Sequence, residues 1–259
     1  MTRIGKRFAN GGKALVGYII AGDPSLEATP RLVSALVRGG VDILELGVPF
    51  SDPIADGPVI MRASERALAA GASLRKILSV AACVRREHPE LPIVLFTYMN
   101  PAVRYGFEAL ARDAGDAGVD GILLTDLSIE EAAGYVKVMR AAGLDTIFLA
   151  APTSTERRLR LIAEHSSGFT YLVSRMGVTG ERASLPDTVG PLIAAMRRVT
   201  DMPLAVGFGI STREQVAAVA AAADAAVVGS AFVREIEKGG PGVEERLEAL
   251  ARELKSGLS

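Results

Sequence analysis

The chain has 259 residues, 49% of them hydrophobic, with 29 basic and 30 acidic side chains and a formal net charge of −1. That apolar content suffices for a full core in one domain, 1–259, while the basic residues show no surplus for gripping a nucleic-acid duplex or an anionic membrane. No segment reaches the roughly 20 apolar residues of a membrane span, and the single Cys83 cannot form an internal disulfide, so a cytoplasmic protein is expected.

Arg3, Lys6 and Arg7 precede an apolar run at 14–21, which superficially suggests a signal peptide. Gly17 and Tyr18 break that run and no A-x-A cleavage pattern follows it, so it reads as a buried first strand over 14–20, preceded by an extra N-terminal helix. Further apolar runs recur at 43–46, 93–96, 122–124, 146–150, 171–173, 204–206 and 225–228. Most lack clean alternation, as expected of parallel strands covered on both faces.

Helical patterns lie between them. Leu74, Ile77, Leu78, Ala81 and Val84 form the stripe of a helix packed on a sheet, and Cys83 is expected to be buried in the same pattern. Capping boxes are predicted at Ser128 with Glu131, Thr153 with Glu156 and Ser211 with Glu214. A recurring junction, Gly40-Val41-Asp42, Gly118-Val119-Asp120, Gly143-Leu144-Asp145 and Ala222-Ala223-Asp224, precedes a strand each time. Glycine there fits a left-handed helix terminator, and the aspartate opens the next strand. Eight strands alternating with about eight helices predict an α/β fold, a single (β/α)8 TIM barrel with extended loops at strands 2 and 6. A doubly wound sheet is the alternative. The one turn-rich break inside the pattern is 177–190, a candidate mobile loop.

A barrel sorts the acids. Asp42, Asp120, Asp145 and Asp224 fall at strand N-terminal ends, the face associated with stability, whereas Asp23, Glu45, Asp52, Asp56 and Asp126 fall at or beyond the C-terminal ends, where catalysis lives. Leu44 and Leu46 share one face of the second strand, which turns Glu45 toward the lumen. An unpaired carboxylate there takes up a proton through a raised pKa or is paired with an Arg or Tyr of a neighbouring strand, a purely structural role. Asp56 lies in a loop stiffened by Pro49, Pro53 and Pro58, which can hold it over the barrel mouth; capping the following helix is its other reading. Two carboxylates in environments of different polarity suit an acid and a base with separated pKa values.

Glycine-bearing turns at Gly177-Val178-Thr179-Gly180, Gly207-Phe208-Gly209 and Gly229-Ser230 follow the last three strands, where barrels commonly seat a phosphate. Of the six lysines (Lys6, Lys13, Lys76, Lys137, Lys238 and Lys255), none ends a strand, which argues against a Schiff base or a pyridoxal phosphate attachment site. His88 and His165 fall at helix ends, and with Cys83 alone they do not make a zinc or iron site.

The run Leu44-Glu45-Leu46-Gly47-Val48-Pro49-Phe50-Ser51-Asp52-Pro53-Ile54-Ala55-Asp56-Gly57 resembles the signature of the tryptophan synthase alpha subunit family without a departure. So do Ala21-Gly22-Asp23-Pro24, Tyr98-Met99-Asn100-Pro101, Ser174-Arg175-Met176-Gly177-Val178-Thr179-Gly180 and Gly207-Phe208-Gly209-Ile210. The resemblance implies a lyase of L-tryptophan biosynthesis that cleaves indole-3-glycerol phosphate to indole and glyceraldehyde 3-phosphate by a retro-aldol step, with no cofactor in this chain. It implies Glu45 as the acid/base, Asp56 as the partner of the indole N–H and Tyr171 as the group orienting the glycerol. Gly180, Gly209, Gly229 and Ser230 would bind the phosphate. Tyr18, Ile60, Phe96, Leu123 and Phe208 would wall the indole, and Thr179 would close over the substrate and contact Asp56. Tyr18 and Phe96 depart from the family, where Phe and an aliphatic residue are common. The resemblance also implies an α2β2 heterotetramer with a pyridoxal phosphate beta subunit facing residues 53–56 and 98–101.

Two other readings compete. Another phosphate-binding barrel, acting on earlier intermediates of the same pathway, would need a strand-end lysine or a Cys–Asp pair. A catalytically silent alpha-type subunit that only activates its beta partner would have no need of Glu45, Asp56, Tyr171 and Thr179 together.

Overall fold

The computed structural model describes residues 1–9, 11–173, 189–207 and 209–258. Its strands are β1 (Ala14–Ile20), β2 (Ile43–Gly47), β3 (Ile93–Thr97), β4 (Gly121–Leu124), β5 in two segments (Asp145–Ile147 and Leu149–Ala150), β6 (Thr170–Val173), β7 (Leu204–Gly207) and β8 (Ala225–Val228). Neighbours pair in parallel around the ring, and β1 pairs with both β2 and β8. The ring closes through β5. Its first segment pairs with β4 and its second with β6, and the carbonyl of the intervening Phe148 accepts the Tyr171 N–H at 3.1 Å. Nine strand segments thus make one eight-stranded (β/α)8 barrel.

Helices run back between the strands: α1 (Arg3–Phe8), α2 (Thr29–Arg38), α3 (Pro58–Ala69), α4 (Leu74–Glu87), α5 (Met99–Tyr105), α6 (Phe107–Asp116), α7 (Ala133–Ala141), α8 (Glu156–His165), α9 (Val189–Arg197), α10 (Arg213–Ala220), α11 (Ser230–Lys238) and α12 (Val243–Lys255). Every residue of β1 to β4 is buried, which is why these strands are apolar on both faces. The extra helix α1 lies under the barrel, with Ile4 fully buried and Phe8 edge-on to Phe169 at 6.4 Å. No single helix among the described residues is long and apolar enough to cross a membrane.

Local expectations need correction in five places. Cys83 is half-buried, not a core residue; it sits off the 74-77-78-81-84 stripe, and its thiol lies 3.7 Å from Glu87 Oε1 one turn on. The capping box at α10 uses Thr212 and Gln215, one residue beyond the expected pair. Thr155, not Thr153, caps α8, and the Ser128 side chain bonds Glu130 instead of a helix N–H. Helix α9 already begins at Val189, so the break expected over 177–190 ends earlier; its residues up to 188 lie outside the described residues.

The aspartates at the strand starts do what stability requires. Gly40, Gly118 and Gly143 take φ of +99°, +78° and +75°, and each hands the chain to a strand opening at Asp42, Asp120 or Asp145. Asp42 accepts the Leu15 N–H at 2.7 Å, Asp120 the Ile93 N–H at 2.9 Å and Asp224 the Leu204 N–H at 2.8 Å, so three of the carboxylates stitch the next strand into place. Each of these three is also ion-paired: Asp42 with Arg7 and Lys255, Asp120 with Arg3 and Arg85, Asp224 with Lys13 and Arg197. Asp145 accepts the Thr2 hydroxyl. Removing the Asp120 carboxylate takes an ion-pair partner from both Arg3 and Arg85 and the acceptor from the Ile93 N–H. Asp120→Ala is expected to lower unfolding stability by about 3 kcal/mol, read from the urea midpoint, and a loss below about 0.5 kcal/mol would show that the ring does not hold this end together.

Candidate functional site

At the opposite end, the C-terminal ends of the strands surround a cavity lined by Tyr18, Glu45, Asp56, Ile60, Phe96, Tyr171, Gly209, Ile210, Val227, Gly229 and Ser230. Strand alternation sends Glu45 inward. In register with it stand Tyr18 on β1 and Val94 on β3, and two residues further along stand Ile20, Gly47 and Phe96. Leu123 is in register with Phe96 on the same lumenal face and is fully buried, but it does not line the cavity. Ile210 and Val227, which the sequence does not single out, line it instead.

Glu45 is 0% exposed, and neither carboxylate oxygen has a hydrogen-bond partner among the described residues. Among the described residues no ion pair gives it a structural role. Burial without compensation disfavours its charge and pushes its pKa up to about 8. Asp56 reaches the same cavity from the loop at 48–57. Its position is set by a tight turn, in which its N–H donates to the Pro53 carbonyl at 2.9 Å, and by Pro58, which opens α3 behind the Gly57 N-cap.

Tyr98, at the end of β3, secures Asp56. Its hydroxyl donates to Asp56 Oδ2 at 3.0 Å and accepts the Ala55 N–H at 3.2 Å, and its ring lies 5.3 Å from that of Phe50. Burial raises the Asp56 pKa to about 6, with the Tyr98 hydrogen bond pulling the other way. Two carboxylates in one cavity thus hold their protons to different pH. The sequence points to 98–101 only as a family-typical turn; an aromatic hydroxyl ending the strand next to β2 was the available signal for its second role.

Both tyrosines of the wall slant across a glycine. A Cβ on Gly47 would stand 2.7 Å from the Tyr18 hydroxyl, and one on Gly207 would stand 2.0 Å from the Tyr171 hydroxyl. The missing side chains at the ends of β2 and β7 are what let these rings lie into the lumen. Tyr18 packs edge-on against Phe96, with centroids 5.1 Å apart. The carboxylates, Asp56 foremost for Tyr18 and Glu45 foremost for Tyr171, reinforce burial in holding both phenols above their ordinary pKa.

The far side of the cavity offers backbone N–H groups that can receive an anion. Gly229 is the N-cap of α11 and Ser230 its first residue, so N–H groups without intrahelical acceptors open there beside Gly209, whose φ is +90°. Thr179, Gly180 and Phe208 lie outside the described residues. Of the other acids near this end, Asp23 is ion-paired with Arg66, the Asp126 side chain accepts the Met99 N–H at 2.6 Å, and Asp52 is exposed. Among the described residues no group of three or more His, Cys, Asp or Glu could hold a metal ion, and no lysine lines the cavity.

The sequence model of the tryptophan synthase alpha chain family matches residues 5–258. The tryptophan synthase alpha chain of Solibacter usitatus is 58% identical, covering 100% of this chain and 98% of the relative. That of Methanosarcina acetivorans is 54% identical over 95% and 88%. Among solved structures, Mycobacterium tuberculosis tryptophan synthase superposes with a TM-score of 0.91 at 40% identity, covering 99% of this chain and 98% of that one. Tryptophan synthase subunit alpha from Legionella pneumophila gives 0.90 at 37%, covering 100% and 98%.

The buried Glu45 has a consequence for stability. Its folded pKa of about 8 lies above the ordinary value of 4.5, so its favourable contribution is complete below 4.5 and is lost as pH rises through 8. Wild-type stability is expected to fall by about 3 kcal/mol between pH 5 and pH 8 from this group alone. Glu45→Gln should abolish that fall in urea titrations, and an identical pH dependence in the variant would mean that Glu45 ionises normally.

Proposed function

We infer the chemistry of the site from one premise: the chain belongs to the tryptophan synthase alpha chain family. It is accordingly a lyase of tryptophan biosynthesis that cleaves indole-3-glycerol phosphate. The observation that carries the assignment of roles is the meeting of an unpartnered buried glutamate and a tyrosine-held aspartate in one cavity.

In this reading the indole ring lies between Tyr18, Phe96 and Ile60 with its N–H toward Asp56. The phosphate rests on Gly209, Gly229 and Ser230, with Gly180 completing that cradle, and Phe208 adds to the indole wall. Glu45, protonated, gives its proton to indole C3 while the Asp56 carboxylate stabilises the positive charge spreading to the ring nitrogen. The Glu45 carboxylate then takes the proton of the glycerol 3-hydroxyl. The bond between C3 and the glycerol carbon breaks, its electron pair restores the indole, and the hydroxyl carbon becomes the aldehyde of glyceraldehyde 3-phosphate. Glu45 ends protonated, as it began. Tyr171 orients the glycerol, and Thr179 closes over the site toward Asp56. The acid–base steps need only the two carboxylates, so no cofactor is assigned to this chain.

The same reading gives the chain a cytoplasmic setting, one working domain over 1–259, and a beta subunit in an α2β2 assembly, where pyridoxal phosphate belongs to the partner. Support for that docking face comes from Ile54, 70% exposed on the Asp56 loop, and Val103, 54% exposed on α5, whose N-cap Tyr98 bonds that loop.

Indole release from indole-3-glycerol phosphate tests the reading directly. Glu45→Gln is expected to lower turnover by about 10³-fold while substrate still binds, and near-normal turnover would remove Glu45 from the mechanism. Activity requires Asp56 ionised and Glu45 protonated, so kcat/KM against pH should be bell-shaped with limbs near the pKa values of about 6 and about 8. Tyr98→Phe removes the bond that lowers the Asp56 pKa and should move the acid limb upward. An acid limb unmoved in that variant would assign it to another group.

A further inference from the structure

The three chain segments that bring the cavity its two ends are tied together outside it by a single guanidinium. Arg66, on α3, forks onto both oxygens of Asp23: Nε to Oδ1 and Nη2 to Oδ2, each at 2.8 Å. Its remaining nitrogen, Nη1, donates to Glu237 Oε1 on α11 at 2.9 Å. Arg62, one turn earlier on the same face of α3, holds Glu237 by two further bonds at 2.6 and 2.8 Å.

Each partner stands on an element that reaches the cavity. Asp23 is 1% exposed and follows the strand that carries Tyr18. Helix α3 starts two residues after Asp56 and carries Ile60. Helix α11 opens with Gly229 and Ser230, and Glu237 lies two turns along it. Close packing at the Asp23 turn leaves little slack, since a Cβ on Gly22 would stand 2.9 Å from the Ala72 methyl.

We propose that Arg66 is a positioning residue that sets the distance between the Asp56 end of the cavity and the anion end at α11. A buried ion pair is a poor way to gain stability compared with apolar packing, but its planar fork fixes three groups in one geometry. The strut also does not titrate where the site does. Arg62 and Arg66 hold the Glu237 carboxyl down to about 2, while Glu45 and Asp56 change charge between about 6 and 8. The frame therefore keeps its charges while the cavity loses and regains protons.

The proposal rests on the lyase reading of the cavity, and it makes a demand that general stability does not. A molecule spanning both ends should suffer when their spacing is released, whereas one filling a single end should not. Arg66→Lys keeps the charge but cannot fork onto Asp23 and reach Glu237 at once. Glu237→Gln leaves the Asp23–Arg66 pair intact and removes the charge and one of the two oxygens by which Arg62 and Arg66 hold α11. In the full-length chain, both are expected to raise KM for indole-3-glycerol phosphate about tenfold. Dissociation constants for indole alone and for glyceraldehyde 3-phosphate alone should stay within about twofold of wild type. An unchanged KM in both variants, or an equal weakening of the spanning substrate and of the two fragments, would overturn the strut. A wild-type chain that releases no indole would instead count against the reading of the cavity.

Discussion

A carboxylate sealed inside the barrel, with no hydrogen-bond partner among the described residues, is the constraint around which this end of the molecule is organised. Glu45 sits in a strand that is dry on both faces, and Tyr18 and Val94 stand beside it in register. An ionised group there would lose its water without gaining a partner, so the neutral form is the resting one over the lower pH range. That cost is tolerable because it falls on a barrel tightly bonded elsewhere. It also leaves a proton where a bound aromatic ring can be reached, since the same cavity is lined by Phe96, Ile60 and the ring of Tyr18.

The two ends of the barrel show one residue type put to opposite uses. At the strand starts, Asp42, Asp120 and Asp224 each receive a backbone N–H and basic side chains, and they act as mortar between neighbouring strands. At the strand ends, among the described residues, Glu45 has no such partner and the Asp56 carboxylate is bonded by a phenol. A guanidinium beside either would hold it charged at all working pH and remove its capacity to exchange a proton there. The separation of paired and unpaired acids between the two ends is what allows the fold to be stable and reactive at once.

Much of this was legible in the residues. The strands at 14–20 and 225–228 fall where the apolar runs put them, because a fully buried parallel strand must be apolar throughout. The inward turn of Glu45 followed from its two leucine neighbours, since alternation in a strand leaves no other face. Three features were not legible. The division of β5 at Phe148 depends on its pairing with two different neighbours, which no local pattern encodes. The bond from Tyr98 to Asp56 joins residues 42 apart, and it depends on the parallel pairing of β2 with β3, which no local pattern shows. The caps shifted by one or two residues because Thr155 and Thr212 compete with equally plausible neighbours, and the winner is set by where the preceding strand ends.

Tyr18 illustrates how a departure from the family pattern is absorbed by the frame. Its extra hydroxyl needs space at the end of the neighbouring strand, and Gly47 supplies it by having no Cβ. The ring edge against Phe96 then fills the lumen across β2, from the two strands that flank it, so the two residues meet each other. An aliphatic residue at 96 would leave Tyr18 without its edge-on partner, and a phenylalanine at 18 would leave a gap over Gly47. The two departures are therefore better understood as one compensated change in the shape of the wall than as two independent losses of fit, and the proposed indole site keeps a continuous aromatic wall.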